Sequence, residues 1–155
     1  MNSMLQLLFN LSEFNASLVQ AAIYYGGKMP VIRAYLDVAL RAGVFSGDEN
    51  GTVDIVDTYI LKEALDSHCP NFRGKSQHDG QEYLTYLLTE MSEELDTSYQ
   101  AMKMSNPGAA DLNPVKKIFD LTTRDKRECT RCSNEWCVHC LVTYLAASRV
   151  FQLTL

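Results

Sequence analysis

The sequence predicts an α+β fold in which helices come first and a short β region follows. Apolar residues recur at helical spacing through residues 1–113. After Pro114 the pattern changes to the loose alternation of an edge strand, which runs over Leu121–Cys129 toward a cluster of four cysteines. We therefore divide the 155-residue chain into a helical subdomain, residues 1–113, and a second segment, residues 114–155.

Helix boundaries in the first segment follow from capping residues, glycines and prolines. Pro30 suits a first helical turn because its missing N–H would have no partner there. Gly43 closes the same helix, and Asp57 is suited to cap the next one. The predicted helices begin near Met4, Ser12, Pro30, Asp57 and Asp79, and the last of them ends near Thr97.

The composition restricts the class of protein. Hydrophobic residues make up 46% of the chain and charged residues 21%, which excludes wholesale disorder and fibrous classes. The net charge of −5 argues against nucleic acid as the main partner, because phosphate binding needs clustered lysine and arginine. Residues 76–124 hold 8 acidic and 4 basic side chains, so this stretch is either a solvated helix surface or a face for a basic partner.

Targeting signals are not evident in the sequence. The first ten residues contain no basic stretch and no small-residue cleavage site of a secretory signal. The apolar stretch from Leu141 is interrupted by Arg149 and is too short to span a bilayer, so we expect no membrane partner. An odd number of cysteines, clustered in CxxC pairs, is typical of a reducing compartment. We expect a cytoplasmic or nuclear protein.

A doubled CxxC pattern indicates a structural zinc site. Two CxxC turns can direct four thiolates at one zinc ion. The four-residue spacer is shorter than in most zinc ribbons. Two alternatives therefore stay open, namely one CxxC pair acting with ligands absent from this chain, and free buried thiols. The predicted zinc ligands are Cys129, Cys132, Cys137 and Cys140.

A run of polar residues, 76–83, precedes the longest predicted helix. Asp79 and Glu82 are three residues apart and share a helix face. They could cap the helix, with Glu82 completing a capping box, or present an acidic pair to a basic peptide. Cys69 and His78 do not favour nucleophilic catalysis, because Cys69 follows a helix C-terminus, where the dipole disfavours a thiolate.

Several segments resemble motifs of the ubiquitin-specific proteases, the papain-like cysteine deubiquitinases. Gln77–Leu84, QHDGQEYL, is similar to their Q-x-D-x-x-E-F/Y segment. Met1–Gln6, MNSMLQ, is similar to the residues that follow their nucleophile. Asn71–Gly74, Leu87-Leu88 and Cys129-x-x-Cys132 also occur in the family's order, so the resemblance extends from residue 1 to about residue 136.

The resemblance implies a fold, a reaction and a partner. The fold would be the papain-like ubiquitin-specific protease domain, here mainly its helical thumb and the start of its β fingers. The family reaction is thiol-dependent hydrolysis of ubiquitin–protein isopeptide bonds, so ubiquitin or a ubiquitinated protein is the expected partner. Asp79 and Glu82 match positions that help hold the basic C-terminal tail of ubiquitin, and Cys129 and Cys132 match the first zinc pair of the fingers.

The sequence departs from the family pattern at the catalytic residues. The nucleophilic cysteine would lie two residues before Met1, and none of the three histidines matches the catalytic one. Cys137 and Cys140 come too early for the family's second zinc pair. We therefore expect an incomplete domain without hydrolytic activity of its own. The alternatives are a non-catalytic ubiquitin-binding or scaffold protein and a small helical zinc-binding protein unrelated to ubiquitin.

Overall fold

The structure is a computed structural model that describes residues 2–45, 56–68, 80–128 and 135–143, with side chains described from residue 3 to residue 120 within these ranges. The chain divides into a helical unit, Met1–Val115, and a second unit, Lys116–Leu155. Among the described residues, each helix is too short or too polar to cross a lipid bilayer. The elements are α1 Asn2–Phe9, α2 Ser12–Tyr25, α3 Pro30–Arg41, α4 Tyr59–His68, α5 Gly80–Ser105, α6 Pro114–Phe119, β1 Asp120–Glu128 and β2 Glu135–Thr143.

The side-chain amide of Asn15 joins the first three helices. Asn15 is 1% exposed, and its Nδ2 donates to the carbonyl oxygens of Leu8, Phe9 and Leu11 at 2.9, 3.2 and 3.0 Å. Carbonyls at a helix C-terminus have no partner within the helix, so Asn15 supplies one for the end of α1. Its Oδ1 accepts a hydrogen bond from the Tyr35 hydroxyl at 2.8 Å, which connects α1 and α2 to α3.

Tyr35 occupies the centre of the same packing. It is fully buried, and its ring lies 5.6 Å from the Phe9 ring and 6.4 Å from the Phe14 ring, measured between centroids. Burial raises the pKa of the Tyr35 hydroxyl, so this group stays neutral and remains a donor to Asn15. The aromatic contacts and the hydrogen bond thus fix the same side chain from two directions.

The predicted boundaries of α3 are confirmed. Pro30 begins the helix, and Gly43 follows its end with a φ of 76°. The Gly43 amide donates to the Leu40 carbonyl at 3.1 Å, and the Val44 amide donates to the Ala39 carbonyl at 3.0 Å. This pair of bonds is the Schellman motif, which requires a residue at positive φ and therefore favours glycine.

Glu94 of α5 caps the N-terminus of α3. Its two carboxylate oxygens accept hydrogen bonds from the amides of Val31 and Ile32 at 2.8 and 3.0 Å. Both amides belong to the first turn, where N–H groups have no partner within the helix and the dipole favours a negative charge. Burial raises the pKa of Glu94, although the two amides and nearby His68 favour its charged form. A contact between distant segments thus replaces a local cap.

The apolar face predicted for the longest helix is confirmed, whereas two predicted boundaries are wrong. Ser12 is the first residue of α2 and not its cap. α5 ends at Ser105 and not near Thr97, because the stretch between them contains no glycine or proline and Asn106-Pro107-Gly108 supplies the break. The six face residues, all buried, are Tyr83, Leu84, Leu87, Leu88, Met91 and Leu95.

Asn113 connects the start of α6 to α5. Its Oδ1 accepts a hydrogen bond from the Val115 amide at 3.1 Å, which caps the helix that Pro114 begins. Its Nδ2 donates to Ser92 Oγ and to Asp96 Oδ1, each at 3.0 Å. This buried side chain therefore fixes the end of the helical unit to its longest helix.

The second unit contains an antiparallel pair of strands. The nine residues of β1 are paired in continuous register with the nine of β2, from Asp120 opposite Thr143 to Glu128 opposite Glu135. The edge strand predicted for this part of the chain is confirmed by β1. The second strand was not predicted as such, because its sequence EWCVHCLVT was assigned to a cysteine turn.

We expect the substitution Asn15→Ala to lower the free energy of unfolding by about 3 kcal/mol, because it leaves buried polar groups without partners. Chemical denaturation measures this loss. Asn10→Ala is the matched control, since Asn10 Nδ2 also donates to an α1 carbonyl, that of Gln6, but at an exposed position. The control should lose about 0.5 kcal/mol or less. Equal losses in the two variants would contradict the role given to Asn15.

Candidate functional site

The first turns of α1 and α5 are in direct contact. Gly80, the first residue of α5, faces the side chain of Met4 in α1. A Cβ placed on Gly80 would lie 3.1 Å from Met4 Cε and 3.4 Å from Met4 Cγ, so the missing side chain lets the two helices approach closely. We name this contact, together with the first turn of α5, the α1–α5 junction.

Glu82 is the acidic residue that the junction presents to solvent. It lies in the first turn of α5, where a negative charge interacts favourably with the helix dipole, and it is exposed. The next two residues, Tyr83 and Leu84, are 9% and 6% exposed and pack into the helical core. Because they anchor the turn, Glu82 is directed outward. Asp79 lies outside the described residues, so the predicted pair of Asp79 with Glu82 stays a prediction.

An acidic side chain of α4 lies near the beginning of α5. Burial raises the pKa of the Tyr83 hydroxyl, and the nearby negative charge of Asp66 on α4 raises it further. Asp66 is itself paired with Lys62 one turn earlier in α4. Asp57 caps this helix, as predicted, by accepting a hydrogen bond from the Tyr59 amide at 2.8 Å. The tyrosine at the junction is therefore neutral, and the negative charge of the described turn comes from Glu82.

Charge is distributed unequally between the two units. Met1–Val115 contains 15 acidic and 7 basic residues, a net charge of −8. Lys116–Leu155 contains 4 acidic and 7 basic residues, a net charge of +3. The acidic character noted in the middle of the sequence thus belongs to the helical unit as a whole, which favours association with a basic segment.

Two of the four predicted zinc ligands lie within the described residues and two lie outside them. Cys129 and Cys132 lie outside the described residues. Cys137 and Cys140 lie in β2, where they pair with Lys126 and Thr123 of β1. The turn predicted between Cys137 and Cys140 is wrong, because the backbone there is an extended strand. Zinc binding itself stays a prediction, since none of the four cysteine side chains is described.

Other candidate residues of the sequence also lie beyond the described side chains. Cys69, His78 and the segment Asn71–Gly74 are outside the described residues, and His139 is described only as a position in β2, opposite Arg124. Among the described side chains, no group of three or more histidine, cysteine, aspartate or glutamate residues is placed to hold a metal ion.

The contact between Met4 and Gly80 was not predicted. Both residues were recognised as parts of separate motifs, 1–6 and 77–84, but nothing in one sequence indicates which distant positions meet. The presence of glycine near the start of a helix was the available signal, since glycine there often marks a close approach.

The family comparison accounts for both units. A model of the family described as ubiquitin carboxyl-terminal hydrolase matches residues 1–154. The chain belongs to the ubiquitin carboxyl-terminal hydrolase family. This confirms the resemblance inferred from the motifs and contradicts the alternative of a zinc protein unrelated to ubiquitin. A search of curated proteins found no match.

Membership in the ubiquitin carboxyl-terminal hydrolase family gives the general chemistry. The family comprises thiol-dependent hydrolases of the ubiquitin pathway, and ubiquitin or ubiquitinated proteins are their substrates. The match extends through β2 almost to the last residue, so the strand pair belongs to the same family domain as the helices.

Zinc binding can be measured directly on the purified chain. We expect one equivalent of zinc per chain by elemental analysis, because thiolate clusters bind zinc tightly and release it only to strong chelators. The paired substitution C129S/C132S should abolish binding. Full zinc content in the C137S/C140S variant would show that the second pair is not part of the site. Absence of zinc from the wild-type protein would contradict the site altogether.

Proposed function

We propose that this chain forms the helical thumb and the start of the β fingers of a ubiquitin-specific protease domain. The reaction of the complete domain is hydrolysis of the isopeptide bond after the C-terminal glycine of ubiquitin, through a thioester on a cysteine. The α1–α5 junction carries this proposal, because two motif segments that are 70 residues or more apart in sequence meet at Met4 and Gly80. We further propose a cytoplasmic or nuclear location.

The proposed role of the junction is to hold the basic tail of ubiquitin through Asp79 and Glu82. Three observations support it. Glu82 is exposed at the start of α5, the packing of Tyr83 and Leu84 fixes the turn beneath it, and the unit has a net charge of −8. A carboxylate held in position by the scaffold binds a basic peptide at a lower entropic cost than a carboxylate on a mobile segment.

We also propose that these 155 residues do not hydrolyse ubiquitin conjugates by themselves. Thiol catalysis needs a cysteine thiolate beside an imidazole that a third group orients. The motif residues of these 155 match family positions that bind the tail and build the fold, and none of them matches the nucleophile or its base. We therefore propose that these residues act as a binding module.

Contact with the ubiquitin tail is testable by NMR. We expect the purified chain to shift the amide resonances of the C-terminal tail of ¹⁵N-labelled ubiquitin, because the acidic turn attracts the basic residues of that tail. The double substitution D79A/E82A should abolish the shifts. The matched control is Glu93→Ala, which removes another exposed carboxylate from the same helix.

The control decides between specific contact and general charge attraction. If E93A reduces the shifts as strongly as D79A/E82A, only the net charge matters and the assigned contact is wrong. If the shifts persist unchanged in D79A/E82A while E93A behaves as wild type, ubiquitin binds elsewhere on the chain. Unchanged thermal unfolding of the variants confirms that the fold is intact.

Catalysis is testable with a fluorogenic substrate attached to the C-terminus of ubiquitin. We expect no turnover by the purified chain above the uncatalysed rate, because the motif residues that it contains include neither the nucleophile nor its base. The Cys69→Ser variant is assayed beside the wild type, because it tests whether Cys69 is the thiol behind any turnover. Thiol-dependent turnover by the wild type that is lost in C69S would contradict the proposal and identify Cys69 as a nucleophile.

A further inference from the structure

Two tyrosine hydroxyls hold the segment that joins α5 to α6 against the end of α2. The Tyr25 hydroxyl donates to the Ala110 carbonyl at 3.0 Å and accepts from the Leu112 amide at 2.6 Å. The Tyr24 hydroxyl accepts from the Ala110 amide at 3.3 Å. We name residues 106–113 the strap, and Tyr24 with Tyr25 the clasp. Three bonds from two adjacent side chains thus fix the backbone of the strap.

The clasp depends on a neutral hydroxyl at Tyr25. Burial raises the pKa of Tyr25, and although the Leu112 amide acts in the opposite direction, the negative charge of Asp111 raises it further. The hydroxyl therefore keeps its proton at neutral pH and remains a donor to Ala110. A negative charge attached to this oxygen would face Asp111 and the C-terminal end of α2, where the helix dipole is also negative.

The clasp lies where an enzyme can reach it after a small opening. Tyr24 is 39% exposed and Tyr25 is half-buried. They are the last two residues of α2, and Gly26 and Gly27 follow them at φ values of 62° and 82°. The ends of helices open at a lower free energy than their interiors, so the backbone around Tyr25 is among the parts of the unit that unfold locally with least cost.

We propose that Tyr25 is a phosphorylation site for an ATP-dependent tyrosine kinase, and that its modification releases the strap. The Tyr25 oxygen forms a bond with the γ-phosphorus of ATP, the bond from that phosphorus to the bridging oxygen of ADP breaks, and the hydroxyl proton passes to the kinase base. The phosphate carries nearly two negative charges and no donor at pH 7. It therefore cannot donate to Ala110, and Asp111 repels it.

Release of the strap is the expected local result. The Ala110 carbonyl loses its hydrogen bond from Tyr25. The added phosphate also moves the phenolic oxygen of Tyr25 away from the Leu112 amide that donates to it. The ring of Tyr25 also lies 6.2 Å from that of Tyr99 and 5.3 Å from that of Tyr24, so its displacement disturbs both neighbours. This regulation concerns the strap alone and does not depend on the proposed contact with ubiquitin.

The experiment treats the purified chain with a tyrosine kinase domain of broad specificity and Mg·ATP. Mass spectrometry locates the phosphate, and NMR follows hydrogen exchange at the Ala110 and Leu112 amides. We expect phosphate on Tyr25 and roughly tenfold faster exchange at both amides, because the Leu112 amide loses its bond to Tyr25 and the released strap takes the Ala110 amide away from Tyr24. Phosphorylation of Tyr59, which is 62% exposed, without modification of Tyr25 would overturn the proposal. So would phosphate on Tyr25 with unchanged exchange.

Two variants separate modification from simple loss of structure. Tyr59→Phe removes an exposed phosphate-accepting hydroxyl that is far from the strap in sequence. In this variant, treatment with the kinase should speed hydrogen exchange at the Leu112 amide as much as in the wild type. Tyr24→Phe removes one strap bond and keeps Tyr25, so Tyr25 should be phosphorylated about fivefold faster, in proportion to the larger open population. An unchanged or slower rate in Y24F would overturn the link between opening and modification.

Discussion

The side-chain amide of Asn15 holds the first three helices of the helical unit together. α1 has only eight residues, too few for a helix to be stable by itself in water. The amide supplies partners for the carbonyls at the end of α1, and it binds the hydroxyl of Tyr35 in α3. Since α1 carries Met4, the position of the α1–α5 junction follows from a polar contact at the other end of the same short helix.

α5 fixes the start of α3 and the start of α6. Near its middle, Glu94 caps α3, and on the same part of the helix Ser92 and Asp96 bind Asn113 at the start of α6. Its apolar face fills the core, and its first turn presents Glu82. One long helix thus connects the acidic turn to the helices beside it, and the hydrogen bonds of Glu94, Ser92 and Asp96 make the arrangement specific as well as stable.

The sequence predicted features that depend on neighbouring residues and missed those that depend on distant ones. Pro30, Gly43 and Asp57 act on adjacent peptide groups, so their roles were evident from local chemistry. The buried face of α5 was evident from the helical period of its apolar residues alone, because a long helix repeats this pattern most often. The cap from Glu94 and three bonds of Asn15, to Leu8, Phe9 and Tyr35, cross between elements, and no local pattern indicates them. At α4, the helical period predicts a buried face of Tyr59, Ile60, Ala64 and Leu65. Leu65 is buried as predicted, whereas Tyr59 and Ile60 are 62% and 46% exposed and Leu61 is buried in their place.

The junction between Met4 and Gly80 has a consequence for how this sequence can vary. The two positions share one volume, so the size of either side chain limits the size of the other. A larger residue at 80 requires a smaller one at 4, and a shorter side chain at 4 leaves a cavity unless 80 grows. Substitutions at these positions should therefore accumulate as pairs across related chains. The summed volume of the two side chains should vary less than the volume of either side chain alone.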